Sequence, residues 1–150
     1  MIAKKLADLG IDLPIAAMPA FQYVPVTIHD RIAFVSGQLP RRGEIFITGK
    51  AGGEVDLELA REAARLCILQ GLACLNQALG TLDRVERILK ITGFVASAPG
   101  FNQQPKVIDA ASELLVEVFG EAGRHARSAV GVAELPRNVA VEIEMIVGLR

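Results

Sequence analysis

Gly123-Arg124-His125-Ala126-Arg127-Ser128-Ala129-Val130-Gly131-Val132-Ala133-Glu134-Leu135-Pro136-Arg137-Asn138-Val139-Ala140-Val141-Glu142-Ile143-Glu144-Met145 is the stretch that decides the fold. It opens on a basic cluster, Arg124, His125 and Arg127, and continues in small and β-branched residues. A break at Glu134–Asn138, with Pro136 inside it, comes next. Beyond the break Val139, Val141, Ile143 and Met145 alternate strictly with Ala140, Glu142 and Glu144. Side chains in a strand repeat every second residue. The segment therefore predicts a β-hairpin whose first strand begins with a cation and whose second carries two carboxylates on one face. An arginine on a sheet beside a carboxylate is a candidate small-molecule site, and the turn is expected to bring Arg127 and Glu142 to one cleft.

Working back along the chain, Pro105 to Phe119 is apolar at Val107, Ala111, Leu114, Leu115 and Val118, a helical spacing that Gly120 terminates. Val85 to Ala96 reads as a strand broken by Pro99-Gly100. Leu57 to about Leu79 is a long helix capped by Asp56 and stopped by Gly80. Its small residues Ala60, Ala64 and Gly71 suit close packing on a sheet. Tyr23 to Ile28 and Arg31 to Ser36 are strand-like and joined at His29-Asp30. A short strand at Ile45 to Thr48 and an N-terminal helix, Ile2 to Leu9 ending at Gly10, complete the order. That order, an N-terminal helix followed by β-β-(β)-α-β-α-β-β, is α+β, with two helices to cover one face of a mixed sheet. The chain reads as one domain over residues 1–150, of which 1–20 are an N-terminal extension.

A formal net charge of −1 and a pI near 6.1 give no electrostatic reason to expect nucleic acid or anionic membrane as a partner. The chain opens without an apolar leader and holds no run of membrane-spanning length, so it is expected to be soluble and cytoplasmic. Cys67 and Cys74 lie seven apart on one helix, separated by roughly 10 Å along its axis, too far for a disulfide. They read as core residues, and no His/Cys grouping has metal spacing. Gly43 to Gly49-Lys50 imitates a phosphate-binding loop, but five residues intervene instead of four and Ala51 stands where Ser or Thr should.

Arg127-Ser128-Ala129-Val130, Leu135-Pro136 and Val141-Glu142-Ile143-Glu144, together with Ser36-Gly37-Gln38-Leu39-Pro40 and Tyr23 fourteen residues before Gly37, resemble the signature of the RidA (YjgF-type) reactive intermediate deaminases. The longer chain resembles a less characterised branch of that family. The resemblance implies a chorismate-mutase-like fold, homotrimers with clefts between subunits, and no cofactor. It also implies hydrolysis of small enamine or imine carboxylates of the 2-aminoacrylate type to 2-oxo acids and ammonia. Two other functions stay open: a carboxylate-binding regulatory trimer without turnover, and an endoribonuclease, which the near-neutral charge and single tyrosine disfavour.

Arg127 is the first candidate, because a planar guanidinium can hold a carboxylate through two parallel hydrogen bonds. The resemblance assigns it the substrate carboxylate. Glu142 matches the family glutamate that activates water, a role a half-dry carboxylate can fill, and Glu144 shares its face. Tyr23, Ser36 and Gly37 are carried over as pocket-lining positions. Ala129 stands where many members have cysteine, and it serves if the contact there comes from the backbone. His125 could titrate near neutrality. A further polar contact is expected from the second helix, with Asp109 and Ser112 as alternatives.

Overall fold

In the computed structural model, which describes residues 1–150, the chain runs α1 (Ile2–Asp8), β1 (Val26–His29), β2 (Ile32–Gln38), β3 (Arg41–Arg42), β4 (Ile45–Phe46), α2 (Leu57–Leu79), β5 (Val85–Ala96), α3 (Gln104–Phe119), β6 (Ala126–Val132) and β7 (Val141–Leu149). The expected element order is present. Five strands form one sheet in the order β1-β2-β7-β5-β6, and β3 and β4 form a separate small hairpin. The α2 and α3 helices cover one face of the sheet. No helix is long and apolar enough to cross a membrane.

The ends of α2 follow from two residues. The Asp56 carboxylate accepts from the Leu59 N–H at 2.8 Å, satisfying one of the donors that a helix leaves free at its start. Gly80 closes the helix in a left-handed conformation, φ 82°, that residues with a Cβ avoid. Between them Ala60, Ala64, Cys67, Ile68, Leu72 and Leu75 are buried against the sheet. The approach is close at Gly71, where an added Cβ would lie 2.5 Å from Met145 Cε of β7. From the other side of the core, α3 contributes Val107, Ile108, Leu114 and Leu115, while Ile88, Ile91 and Val95 come from β5. The short α1 is more than a loose extension. Its Leu6 is buried in the same core, and the Ile2 N–H donates to Asp83 at 2.8 Å, which holds that carboxyl below its usual range.

Two expectations need correction. The β1–β2 turn falls at Asp30-Arg31, one residue later than His29-Asp30, with Asp30 at φ 53°. More consequentially, β6 and β7 are not a hairpin: β6 pairs parallel with β5, and β7 pairs antiparallel with β5 and β2. The twelve-residue β5 stands between them and takes a ladder on each side. At its end the Ala96 N–H donates to the Ala140 carbonyl and the Ser97 N–H to the Val132 carbonyl, so the chain from Ala133 to Ala140 crosses over the end of β5. Arg137 and Asn138, at φ 55° and 57°, make the sharp part of that crossing.

Along β7, Val141, Ile143, Met145 and Val147 face the helices and are buried. Glu142, Glu144 and Ile146 face the other way. Beside those two carboxylates the open face exposes apolar side chains: Ile32 is 39% exposed, Phe34 47% and Val130 41%.

Candidate functional site

The predicted residues assemble at two places. The first is where edge strand β6 meets α3. The Arg127 guanidinium lies 2.7 Å from Asp109 Oδ1, donates to Ser112 Oγ at 3.1 Å through Nη1, and donates to the Pro105 carbonyl at 3.1 Å through Nη2. Asp109 and Ser112, left as alternatives by the sequence, both serve this arginine, because three residues along a helix return to one face. His125 joins them: its Nε2 is 2.8 Å from Ser112 Oγ and its Nδ1 is 2.6 Å from the Gly123 carbonyl. A carbonyl only accepts, so Nδ1 carries the proton; in the neutral ring Nε2 then accepts from the Ser112 hydroxyl. Ser112, His125 and Arg127 line a shallow cavity of about 620 Å³.

The second place lies on the other side of the sheet. Tyr23, Gly37 and Glu142 line a cavity of about 610 Å³, bounded by chain from the N-terminal extension and by the β3–β4 hairpin. Glu142 is half-buried, and burial first, then the charge of Glu144, raises its carboxyl above the usual range. Gly37 has no room for a side chain, because a Cβ there would overlap the Glu142 carboxylate. The thiol of Cys67 is also pushed well up, chiefly by complete burial and secondly by the Glu142 charge. Both cysteines are free and buried.

Arg127 and Glu142 therefore do not share a cleft within one chain. The expected hairpin would have set their facing by the parity of its turn. With β5 between them, parity runs through that strand instead: Arg127 is registered with Ile91, which faces the helices, and Glu142 with Phe94, which faces away. Two further expected positions line neither cavity. Ser36 donates its hydroxyl to the Val24 carbonyl at 2.8 Å, clamping the chain ahead of β1, and Ala129 packs against the core from β6. No three His, Cys, Asp or Glu side chains converge as a metal site.

Arg41, Phe46, Gln70 and Arg137, none of them among the expected positions, also line the second cavity. Gln70 carried a signal, a lone amide inside the apolar run from Cys67 to Leu75. Arg137 carried one too, as a cation in a Pro-Arg-Asn turn.

The family described as "YjgF/chorismate mutase-like, putative endoribonuclease" matches residues 3–148. The chain belongs to the YjgF family. Its α+β architecture is the chorismate-mutase-like fold of that family, with a mixed sheet and three helices. Protein TCP17 of Trypanosoma cruzi is 45% identical over 99% of this chain and 94% of its own. A 2-iminobutanoate/2-iminopropanoate deaminase of Dermatophagoides farinae is 30% identical, covering 91% of this chain and 93% of its own. Among crystal structures, that of Atu1372, a protein of unknown function from Agrobacterium tumefaciens, superposes with a TM-score of 0.92 at 48% identity, covering 99% of this chain and 92% of its own.

Proposed function

We propose that the protein hydrolyses small imine or enamine carboxylates to 2-oxo acids and ammonia, as a homotrimer in which Arg127 of one subunit completes the cavity that holds Glu142 of the next. The relative named as a 2-iminobutanoate/2-iminopropanoate deaminase supports the chemistry. The observation that carries the proposal is the arginine itself. Three contacts from α3 fix its guanidinium plane, while Nε and one Nη2 hydrogen have no partner within the chain. A group so held is preorganised to take a carboxylate. The two half-sites lie on opposite faces of the sheet, one at edge strand β6 and the other at β2 and the central β7, and the exposed apolar side chains of the open face suit burial against copies of the chain.

In this mechanism Arg127 orients the substrate through its carboxylate. Water adds to the carbon of the protonated imine, Glu142 takes a proton from that water, and a neutral carbinolamine forms. Glu142 returns that proton to the nitrogen, and as the carbon–nitrogen bond breaks the hydroxyl proton passes to the freed carboxylate, so that ammonia and the 2-oxo acid leave. An enamine first gains a proton at carbon and enters as the imine. A carboxyl raised by burial suits both halves of this exchange, since it accepts a proton more readily than an exposed glutamate.

Carboxylate binding without turnover is favoured by one observation, the Asp109 carboxylate that already neutralises Arg127 at 2.7 Å. Two assays separate the readings. The first is ammonia and 2-oxo acid release from freshly generated 2-aminoacrylate. The second is co-expression of two inactive chains, Arg127→Ala and Glu142→Gln: a cleft shared between subunits recovers about one quarter of wild-type activity in random mixed trimers, whereas a cleft within one chain recovers none.

A further inference from the structure

The 610 Å³ cavity beside Glu142 is far larger than a three-carbon imine requires, and its polar groups form a pattern that such a substrate would leave unused. Gln70, on the buried side of α2, is only 2% exposed. Its Nε2 donates to the Arg41 carbonyl at 3.3 Å, while its Oε1 has no hydrogen-bond partner in the protein. A buried acceptor left alone costs about 1–3 kcal/mol, so acceptors so placed are normally matched by a donor. Two cations line the same cavity. The guanidiniums of Arg41 and Arg137 sit 5.2 and 5.0 Å from the centre of the Phe46 ring. Arg41 is also tethered by its own hairpin, Nε donating to the Gly43 carbonyl at 2.9 Å and Nη2 lying 3.6 Å from Glu44. Arg137 has no carboxylate partner in the chain. Glu142 is the one acidic residue in the lining, against two arginines, so the cavity favours an anion.

We propose that this cavity is a second anion subsite, which takes the far end of a substrate carrying a second carboxylate and an N–H or O–H group along its side chain. Arg41 and Arg137 hold the distal carboxylate and Gln70 Oε1 accepts from the side-chain donor. The first carboxylate goes to Arg127 of the neighbouring subunit. The assignment to a substrate rests on the deaminase reading; the anion site itself does not. Substrates of this class are 2-imino dicarboxylic acids, longer than the three- and four-carbon imines.

Three stable 2-oxo acids test it by calorimetric titration of the intact protein: 2-oxobutanoate, 2-oxoglutarate and 4-hydroxy-2-oxoglutarate. The second carboxylate should tighten binding about tenfold or more, and Arg137→Ala, at an exposed position, should erase that preference. The added hydroxyl should tighten binding again by a few-fold, a gain that Gln70→Met should remove. Equal affinity for the first two acids, or a dicarboxylate preference that survives the Arg41→Ala, Arg137→Ala double variant, overturns the proposal. So does a hydroxyl gain that survives Gln70→Met. Rates of ammonia release from 2-iminoglutarate and 2-iminobutanoate separate the two readings. A binding preference without any hydrolysis removes the deaminase reading and leaves the subsite. Hydrolysis of 2-iminobutanoate without dicarboxylate preference does the reverse.

Discussion

At the scale of single residues, Arg127 and Glu142 make separable predictions. Lysine at 127 keeps the charge and loses the planar fork, so Arg127→Lys should lower kcat/KM by about tenfold to a hundredfold and Arg127→Ala by more, as steady-state assays would read. Glu142→Gln should spare binding of a carboxylate analogue and depress turnover. Its effect on stability has a definite sign. The folded protein holds a proton on Glu142 more tightly than the unfolded chain does, because burial raises its pKa. Stability is therefore lost as pH rises through that raised value. Glu142→Gln removes the loss, so its Tm should exceed wild type at pH 8 and approach it near pH 4. A Tm difference independent of pH would show that the carboxylate is not the cause. Arg127 and Glu142 could be singled out as candidates because their chemistry is written in the side chain and its immediate neighbours. Gln70, Arg41 and Arg137 were not, because their meaning depends on a cavity assembled from α2, the β3–β4 hairpin and the crossing after β6. Ser36 lines neither cavity because it neighbours Gly37 and turns its hydroxyl to the Val24 carbonyl, and Ala129, on the same face of β6 as Arg127, packs into the core instead.

At the scale of elements, the boundaries of α2 could be read to the residue because caps are local. Asp56 and Gly80 each satisfy or terminate the helix through their own conformation and their nearest turn. Asp56→Ala should accordingly cost about 1 kcal/mol in chemical denaturation, with the midpoint shifted and the slope unchanged. The pairing of β6 and β7 was misread because nothing local distinguishes a hairpin from a crossing. Both require a turn-rich break between two alternating runs, and the residues from Glu134 to Asn138 would serve either. What decides is the long apolar β5, alternating Ile91, Gly93 and Val95 inward, which leaves both of its edges to be paired. The alternation along β7 holds, with Val141, Ile143 and Met145 on one face and Glu142 and Glu144 on the other, while the identity of its neighbour was misread.

For the whole molecule, the expectation of a homotrimer came from the resemblance, and Ile32, Phe34 and Val130 stand exposed on the sheet's open face. Sedimentation should report about three times the 16.0 kDa chain mass. Phe34→Glu should yield a folded monomer with native circular dichroism and no activity, since removing an exposed aromatic leaves the core untouched. An active monomer would place both half-sites in one chain, contrary to the facing of Arg127 and Glu142.

The turn that carries Arg137 adds a prediction about descent. A side-chain-bearing residue at φ 55° is held against its own preference, and glycine there would relieve the backbone. Selection for stability alone thus pulls this position toward glycine or asparagine, and only the use of its guanidinium resists. Arg137→Gly should melt higher than wild type by calorimetry while losing its preference for dicarboxylates. Lineages whose substrates are short should have let this arginine drift away, and those that kept it should be the ones still meeting a doubly charged molecule.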